Sequence, residues 1–355
     1  MGDAGGRRPV AARRWLARAG FVWLLLIGTA CTDPPSQVVE LSGRTMGTRY
    51  SIKLAHSPGP GQLAPLQQRI DDRLDAINRM MSTYREDSDL MRFNRTSSTT
   101  WQDAPAALVD LVERALRISE SSDGMYDITV GPLVNLWGFG NAGDRDTPPS
   151  AGQIAELLPT VGYQHLQTRR APPALRKTVA GLQADLSSIA KGWAVDEIAA
   201  LLDAEGFTGY LVEIGGEVFA RGGKRNGDPW RIAIERPSFT ERSIQRVVAL
   251  HDLAMATSGD YRNFFPAGGK RYSHTIDPRS GMAIAHGLAS VTVFARNCAE
   301  ADGWATALMA LGDEQGPATA ERLGIQALFI ARKDDGFSER VSSALHKAPV
   351  WRGQP

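Results

Sequence analysis

The chain has 355 residues, 43% of them hydrophobic and 22% charged, which is ordinary globular composition. That excludes a disordered tail protein, a collagen-like repeat and a polytopic membrane protein, and leaves room for two domains or one large α+β domain. The net charge of +1 hides an asymmetry: residues 1–30 hold Arg7, Arg8, Arg13, Arg14 and Arg18 against Asp3, so the remainder carries 35 basic and 38 acidic residues. A body of that sign offers no broad electrostatic footprint for nucleic acid, and two cysteines rule out a disulfide framework or a four-cysteine zinc site.

Residues 1–30 read as an export signal. The arginines precede an apolar run, Phe21 to Ile27, and the small residues Gly28-Thr29-Ala30 then reach Cys31. The run is too short for a bilayer, which needs about 20 apolar residues, but it suits a signal-peptide core. A cysteine directly after small residues resembles a bacterial lipobox, with Gly28 where Leu is usual, and implies cleavage before Cys31 and lipid attachment to it. Arg13-Arg14-Trp15-Leu16 loosely resembles a twin-arginine signal, so the export route stays open. Residues 31–39, with Pro34 and Pro35, form the expected lipidated tether ahead of a domain over 40–350.

Along that domain, Thr48–Leu54 alternates as a half-buried strand. Leu63, Leu66, Ile70, Leu74, Ile77 and Met81 recur at helical spacing, as do Leu108, Leu111, Val112, Ala115 and Ile118. A third helix is expected from Trp193 to Leu202. Strands follow near Tyr210–Ile214, Trp230–Ile234, Val247–Leu250 and Leu288–Phe294. Helices at about Ala299–Leu311 and Ala318–Leu323 precede a last strand, Ala327–Ala331, while Arg170–Pro173 and Asn141–Pro149 read as loops. Without a regular βαβ beat, this order predicts an α+β fold: one large domain of mixed or antiparallel sheets with flanking helices.

Two motifs fail on context. Gly138-Phe139-Gly140-Asn141-Ala142-Gly143 fits GxGxxG, but Pro148 and Pro149 follow where a phosphate-binding helix should open. Ser188-Ile189-Ala190-Lys191 fits the SxxK of penicillin-binding enzymes, yet no SDN or KTG accompanies it, so a serine hydrolase is a rival that a penicillin-type probe would reveal.

Seven other segments carry a resemblance. They are Gly43-Arg44-Thr45-Met46-Gly47-Thr48; Met81-Ser82-Thr83-Tyr84 with Ser88-Asp89-Leu90-Met91-Arg92-Phe93-Asn94; Gly124-Met125-Tyr126-Asp127-Ile128-Thr129 running to Trp137-Gly138-Phe139-Gly140; Asp185-Leu186-Ser187-Ser188-Ile189-Ala190-Lys191-Gly192; Glu213-Ile214-Gly215-Gly216-Glu217; Ser273-His274-Thr275-Ile276-Asp277-Pro278-Arg279-Ser280-Gly281; and Ala301-Asp302-Gly303-Trp304-Ala305-Thr306. In this order the chain resembles the FAD:protein FMN transferases, the ApbE-type flavin transferases. The resemblance implies a Mg²⁺-dependent enzyme that cuts FAD at its pyrophosphate. It would join FMN to a Thr or Ser hydroxyl of another protein, release AMP, and hold the flavin in a cleft between two lobes.

Displacement at a pyrophosphate calls for a divalent ion to screen developing charge, and Mg²⁺ takes hard oxygen ligands. Asp302 and Thr306, four apart on an expected helix, point one way. Alone they read as a solvated helix face; the resemblance makes them metal ligands, with Ser188. Lys191 suits a phosphate, and a cation at a helix start gains nothing from the dipole there. The resemblance assigns Asp185 to the flavin and lines the flavin pocket with Met46, Tyr84, Met125, Tyr126 and Asp127; Tyr126 and Ile128 depart from the usual Phe and Pro. His274 is either the base that takes the acceptor proton, worth about 10²–10⁴-fold, or a contact to the adenylate half. Cys298 reads as buried packing. An FAD pyrophosphatase and a non-enzymatic flavin-binding lipoprotein remain alternatives. The implied setting is the periplasmic face of the inner membrane, through the lipid on Cys31, with flavoprotein subunits of membrane redox complexes as acceptors.

Overall fold

Period-two alternation sends consecutive residues of one strand into two different cores. In this computed structural model the described residues are 38–352, apart from 141–144, 146, 239–242, 261–263 and 335. Eight strands form one sheet: β1 (Val39–Thr45), β2 (Thr48–Leu54), β3 (Tyr210–Ile214), β4 (Glu217–Arg221), β5 (Leu253–Gly259), β6 (Leu288–Ala295), β7 (Gln326–Lys333) and β8 (Gly336–Val341). Their spatial order is their chain order, and every neighbouring pair is antiparallel. Val212, Phe219, Ala254 and Val293 face the larger core, while Leu211, Val218, Met255 and Phe294 face a second. The registers agree, with Met255 opposite both Val218 and Phe294 and Ala254 opposite Phe219.

Four long helices supply the larger core: α1 (Leu63–Met81), α2 (Ala106–Ser121), α3 (Ala190–Ala204) and α4 (Cys298–Leu323). The expected stripes are buried on α1 from Leu66 to Met81 and on α2 from Leu108 to Ile118, but Leu63, in the first turn of α1, is exposed. The two helices expected near 299–311 and 318–323 run together as α4 across a break at Gly312, where φ is 79° and ψ −171°. The second core lies beneath the hairpin Trp230–Glu235 with Ile244–Leu250 and the C-terminal helices Ser343–Lys347 and Pro349–Arg352. Arg170–Pro173 is the tight turn joining two strands of a small three-stranded sheet. A third cluster gathers Leu133, Trp137, Ile154 and Ile276 with Phe265 and Tyr272, whose rings stack at 5.3 Å.

The α+β class with antiparallel sheets is therefore what the chain adopts. Among the described residues no helix is long and apolar enough to cross a membrane. Two features of this topology place the site. Tyr50 pairs with Ile214, so the β1–β2 and β3–β4 turns lie at one end of the sheet. The starts of α3 and α4 pack against each other, with a hydrogen bond from the Gly192 backbone to Asp302.

Candidate active site

The segment entering α3 is fixed from below. The Asn94 side chain accepts from Ala184 N and donates to Ala184 O, both at 2.8 Å. Lys177, fully buried, donates to Leu182 O at 2.9 Å and Asn94 O at 3.1 Å and lies over the Phe93 ring. Burial pushes its ammonium down to about 8, because its hydrogen-bond partners are main-chain carbonyls rather than carboxylates. Beyond this clamp Asp185 Oδ1 accepts from Ser187 N at 2.8 Å and Ser187 Oγ at 2.5 Å. Ser188 Oγ donates to the Tyr126 hydroxyl at 2.9 Å. That phenol is held well above its usual range by burial, with Asp302 and Asp185 adding to the shift, so the negative fields of both carboxylates reach it.

Two helices cross closely to form the next part. A Cβ on Gly192 would lie 2.3 Å from Cys298 O and 2.8 Å from Ala299 Cα, so only glycine permits the approach. Asp196 of α3 accepts from Cys298 N and Ala299 N at 2.6 and 2.9 Å, capping α4; burial raises its carboxyl to about 6. Cys298 is buried packing, as expected. The crossing carries Asp302 inward: it is 5% exposed and its Oδ2 accepts from Gly192 N at 3.0 Å. The helix-face reading from spacing alone is thus corrected, since small residues around Asp302 let the helix bury it. Thr306 lies one turn further along α4 and is half-buried.

Lys191 Nζ sits 2.6 Å from Glu217 Oε1 and 4.0 Å from Asp302 Oδ1. Burial alone would lower the ammonium, but Asp302 and Glu217 outweigh it and hold it charged. Burial raises both carboxyls, and Lys191 opposes the rise in each. Glu217 is 3% exposed and its Oε2 has no hydrogen-bond partner.

Two hairpin tips flank this trio. Gly215 and Gly216 turn β3 into β4 with φ of 64° and 109°, and a Cβ on Gly215 would lie 2.9 Å from Thr48 Cγ2 and 3.2 Å from Lys191 Cδ. Met46 and Gly47 turn β1 into β2 with φ of 48° and 71°. Asn, Asp or Gly normally takes the first of these positions, so Met46 is a strained choice of the kind kept for function. Its side chain is half-buried against the larger core. Tyr84 is exposed, and partial burial of its hydroxyl together with the charge of Asp185 raises its pKa, so the field of that carboxylate reaches it.

His274 belongs to the third cluster, where its ring meets Phe139 edge-on at 6.3 Å and Trp137 Nε1 donates to Gly281 O at 2.8 Å. Asp277 Oδ1 accepts from Arg279 N at 2.8 Å, shaping the turn that follows. Of the rejected GxGxxG segment, Gly138 to Gly140 trail the short helix Gly131–Leu136, and a Cβ on Gly138 would lie 2.7 Å from Arg145 N; Asn141-Ala142-Gly143 lie outside the described residues.

Residues 46–329 match the model of the ApbE family. The chain belongs to that family. It is 44% identical over 333 residues to the FAD:protein FMN transferase of Vibrio cholerae serotype O1, covering 94% of this chain and 98% of the relative. It is 41% identical to that of Salmonella typhimurium, covering 88% and 89%. Among solved structures, the flavin transferase ApbE from Vibrio cholerae superposes with a TM-score of 0.81 at 45% identity over 87% of this chain and 98% of that one. The apo flavinyl transferase ApbE of Pseudomonas stutzeri gives 0.81 at 42% identity over 89% and 98%.

In this ApbE-family chain six of the expected residues are linked in three pairs. Lys191 lies 4.0 Å from Asp302, Ser188 meets Tyr126, and the charge of Asp185 reaches Tyr84. Asp127 is turned inward: its oxygens accept from Thr129 N, Thr129 Oγ1 and Tyr163 N, all at 2.7 Å, so it holds its own loop, with Met125 and Tyr126 buried beside it. Cys31 lies outside the described residues. Sequence reasoning gave no role to Glu217, Lys177, Asn94 or Asp196. Glu217 and Asn94 carried a signal, Glu217 directly after Gly215-Gly216 and Asn94 at the end of the segment that starts at Ser88.

Proposed function

We propose that the protein transfers the FMN moiety of FAD to a Thr or Ser hydroxyl of an acceptor flavoprotein and releases AMP. The observation that carries this reading is Lys191, held charged between two buried carboxylates beneath two hairpin tips, in a chain more than 40% identical to transferases of that name. Asp302, Thr306 and Ser188 are the residues that would hold Mg²⁺. The donor set fits: it is all oxygen, and the trio carries two carboxylates against one ammonium, an excess of negative charge. Among the described residues no group of three or more His, Cys, Asp or Glu could hold a metal, so protein ligands would be few and waters or phosphate oxygens would complete the shell. Bound there, Mg²⁺ would supply screening of the charge that develops on the pyrophosphate.

This chain's residues divide the remaining work. Lys191 Nζ binds a pyrophosphate oxygen as a point cation. Met46, Tyr84 and Asp185 line the flavin side, with Met125, Tyr126 and Asp127 supporting the wall behind, and the flavin lies in a cleft toward the Trp137 cluster. His274 takes the acceptor hydroxyl proton as the new O–P bond forms to FMN, while the P–O bond to AMP breaks and AMP leaves with that electron pair. The export signal and the lipobox at Cys31 favour a lipid anchor on the inner membrane facing the periplasm, where flavoprotein subunits of membrane redox complexes are accessible. Cys31→Ser should release a soluble or uncleaved form; membrane retention of a cleaved Cys31→Ser chain would defeat the anchor.

The test is direct. The protein is incubated with FAD, Mg²⁺ and a candidate acceptor, and covalent flavin fluorescence is sought on a denaturing gel. A labelled acceptor with one AMP released per flavin supports transfer. FMN and AMP without labelling across acceptors would reassign the protein to pyrophosphate hydrolysis.

A further inference from the structure

Glu217 has no role in the scheme above, yet its placement is costly. A carboxylate 3% exposed, with one oxygen 2.6 Å from Lys191 and the other without a partner, is destabilising unless it does something the site needs. The need is visible in the second distance. Lys191 Nζ is only 4.0 Å from Asp302 Oδ1, at the edge of a closed ion pair with that carboxylate. A lysine closed on Asp302 would neutralise the one carboxylate available to Mg²⁺ and occupy its approach.

We propose that Glu217 is a positioning residue that holds Lys191 off Asp302 and so keeps Asp302 free for Mg²⁺. The inference rests on the metal reading of Asp302 given above. Several observations support it independently of that reading. Glu217 opens β4 directly after Gly215-Gly216, and the turn packs against the Lys191 side chain, so the hairpin sets where the carboxylate stands. The Lys191 side chain is 30% exposed, whereas the Glu217 side chain is 4% exposed, so the glutamate is the enclosed partner and the lysine the one open to solvent. Asp302 Oδ2 is already engaged by Gly192 N, leaving Oδ1, the oxygen nearer Lys191, as the free face.

Charge counting gives a pattern of outcomes that a structural role would not produce. In the wild type Glu217 cancels Lys191 and Asp302 is left with its charge. In Glu217→Gln the lysine is uncancelled and turns to Asp302. In Glu217→Gln/Lys191→Met the competing cation is gone and the charge of Asp302 returns. The readout is binding of Mg²⁺ alone, by calorimetry and by the rise in melting temperature with MgCl₂, without FAD or turnover. Glu217→Gln should weaken Mg²⁺ binding by at least about tenfold, the lower range for residues acting on a ligand from outside the metal shell. The double variant should return to within about threefold of the wild type, and that rescue also excludes misfolding as the cause. Glu217→Gln binding Mg²⁺ as tightly as the wild type overturns the proposal. So does a double variant as weak as Glu217→Gln, which would make Glu217 a ligand or a support of the fold. A wild-type protein that binds no Mg²⁺ overturns the metal reading itself, and this inference with it.

Discussion

Replacing Gly192 by Ala tests whether the closeness of α3 and α4 makes the site. The added Cβ would lie 2.3 Å from Cys298 O, 2.6 Å from Cys298 C and 2.8 Å from Ala299 Cα. These are main-chain atoms, and Asp196 holds their N–H groups, so no rotamer change relieves the clash. Ordinary carbon contact begins near about 3.5 Å, so the helices must part by roughly 1 Å. Overpacking of this kind costs about 1–3 kcal/mol, a fall of several degrees in melting temperature for a chain of this size. The larger effect falls on chemistry, because the same shift stretches the 3.0 Å bond from Gly192 N to Asp302 and moves Lys191 with it. A misplacement of about 1 Å can cost about 10²-fold in rate. Transfer should therefore drop by about 10²-fold at a temperature where the variant remains folded, measured as the time course of in-gel flavin fluorescence beside a melting curve. Turnover within threefold of the wild type, with the melting temperature unmoved, would refute the reasoning: the helices would have given way without disturbing Asp302.

Asp302→Ala should abolish Mg²⁺-dependent transfer while melting cooperatively, and Thr306→Val should need more Mg²⁺ for half-maximal rate without losing it. His274→Ala should keep FAD affinity within a few-fold and slow transfer by at least about 10², whereas Asp185→Ala should raise the FAD concentration required; reversed effects would exchange their roles. Lys177 links stability to alkaline pH. Its folded pKa of about 8 lies below the ordinary 10.5, so between those values the unfolded chain binds more protons and stability rises with pH. Lys177→Met should remove a rise of up to about 3 kcal/mol from urea unfolding curves taken at pH 7 and pH 10.5.

The helices α1 and α2 were legible because one face of each meets the core and the other meets water, which writes the 3.6-residue period into the sequence. The strand β4 was not: Glu217-Val218-Phe219-Ala220 is buried on both faces, so no alternation marks it. The same holds for β5, where Ala254, Met255 and Ala256 are all buried. In the site, Lys191 and Asp302 were legible through the segments around them, although spacing alone put Asp302 on a wet surface. Its burial depends on Gly192, a hundred residues away, and no local pattern reports a helix crossing. Lys177 and Asn94 were missed for a different reason. Their partners are main-chain groups of Leu182 and Ala184, which any residue could offer, so the pairing leaves no trace in side-chain identity.

The charge balance of the trio has a consequence for the order in which the site fills. With both carboxyls ionised, Glu217, Asp302 and Lys191 together carry two negative charges and one positive, so the empty site then repels a pyrophosphate even though it contains the lysine meant for it. With a divalent cation held at Asp302 the formal balance reverses to one positive charge, and the same pocket attracts the anion. Burial makes the reversal matter, since charges in a poorly solvated site are weakly screened. FAD affinity should therefore depend on Mg²⁺. Quenching of flavin fluorescence, titrated in EDTA and in MgCl₂, should show tighter binding with Mg²⁺ by at least about tenfold, and the difference should persist at raised ionic strength, where a surface effect would fade. Asp302→Ala should erase it, because the carboxylate that recruits the cation and the whole of the excess negative charge disappear together. Equal FAD affinity with and without Mg²⁺ in the wild type would mean that flavin contacts at Met46, Tyr84 and Asp185 dominate binding, and that the cation acts only on the bond being broken.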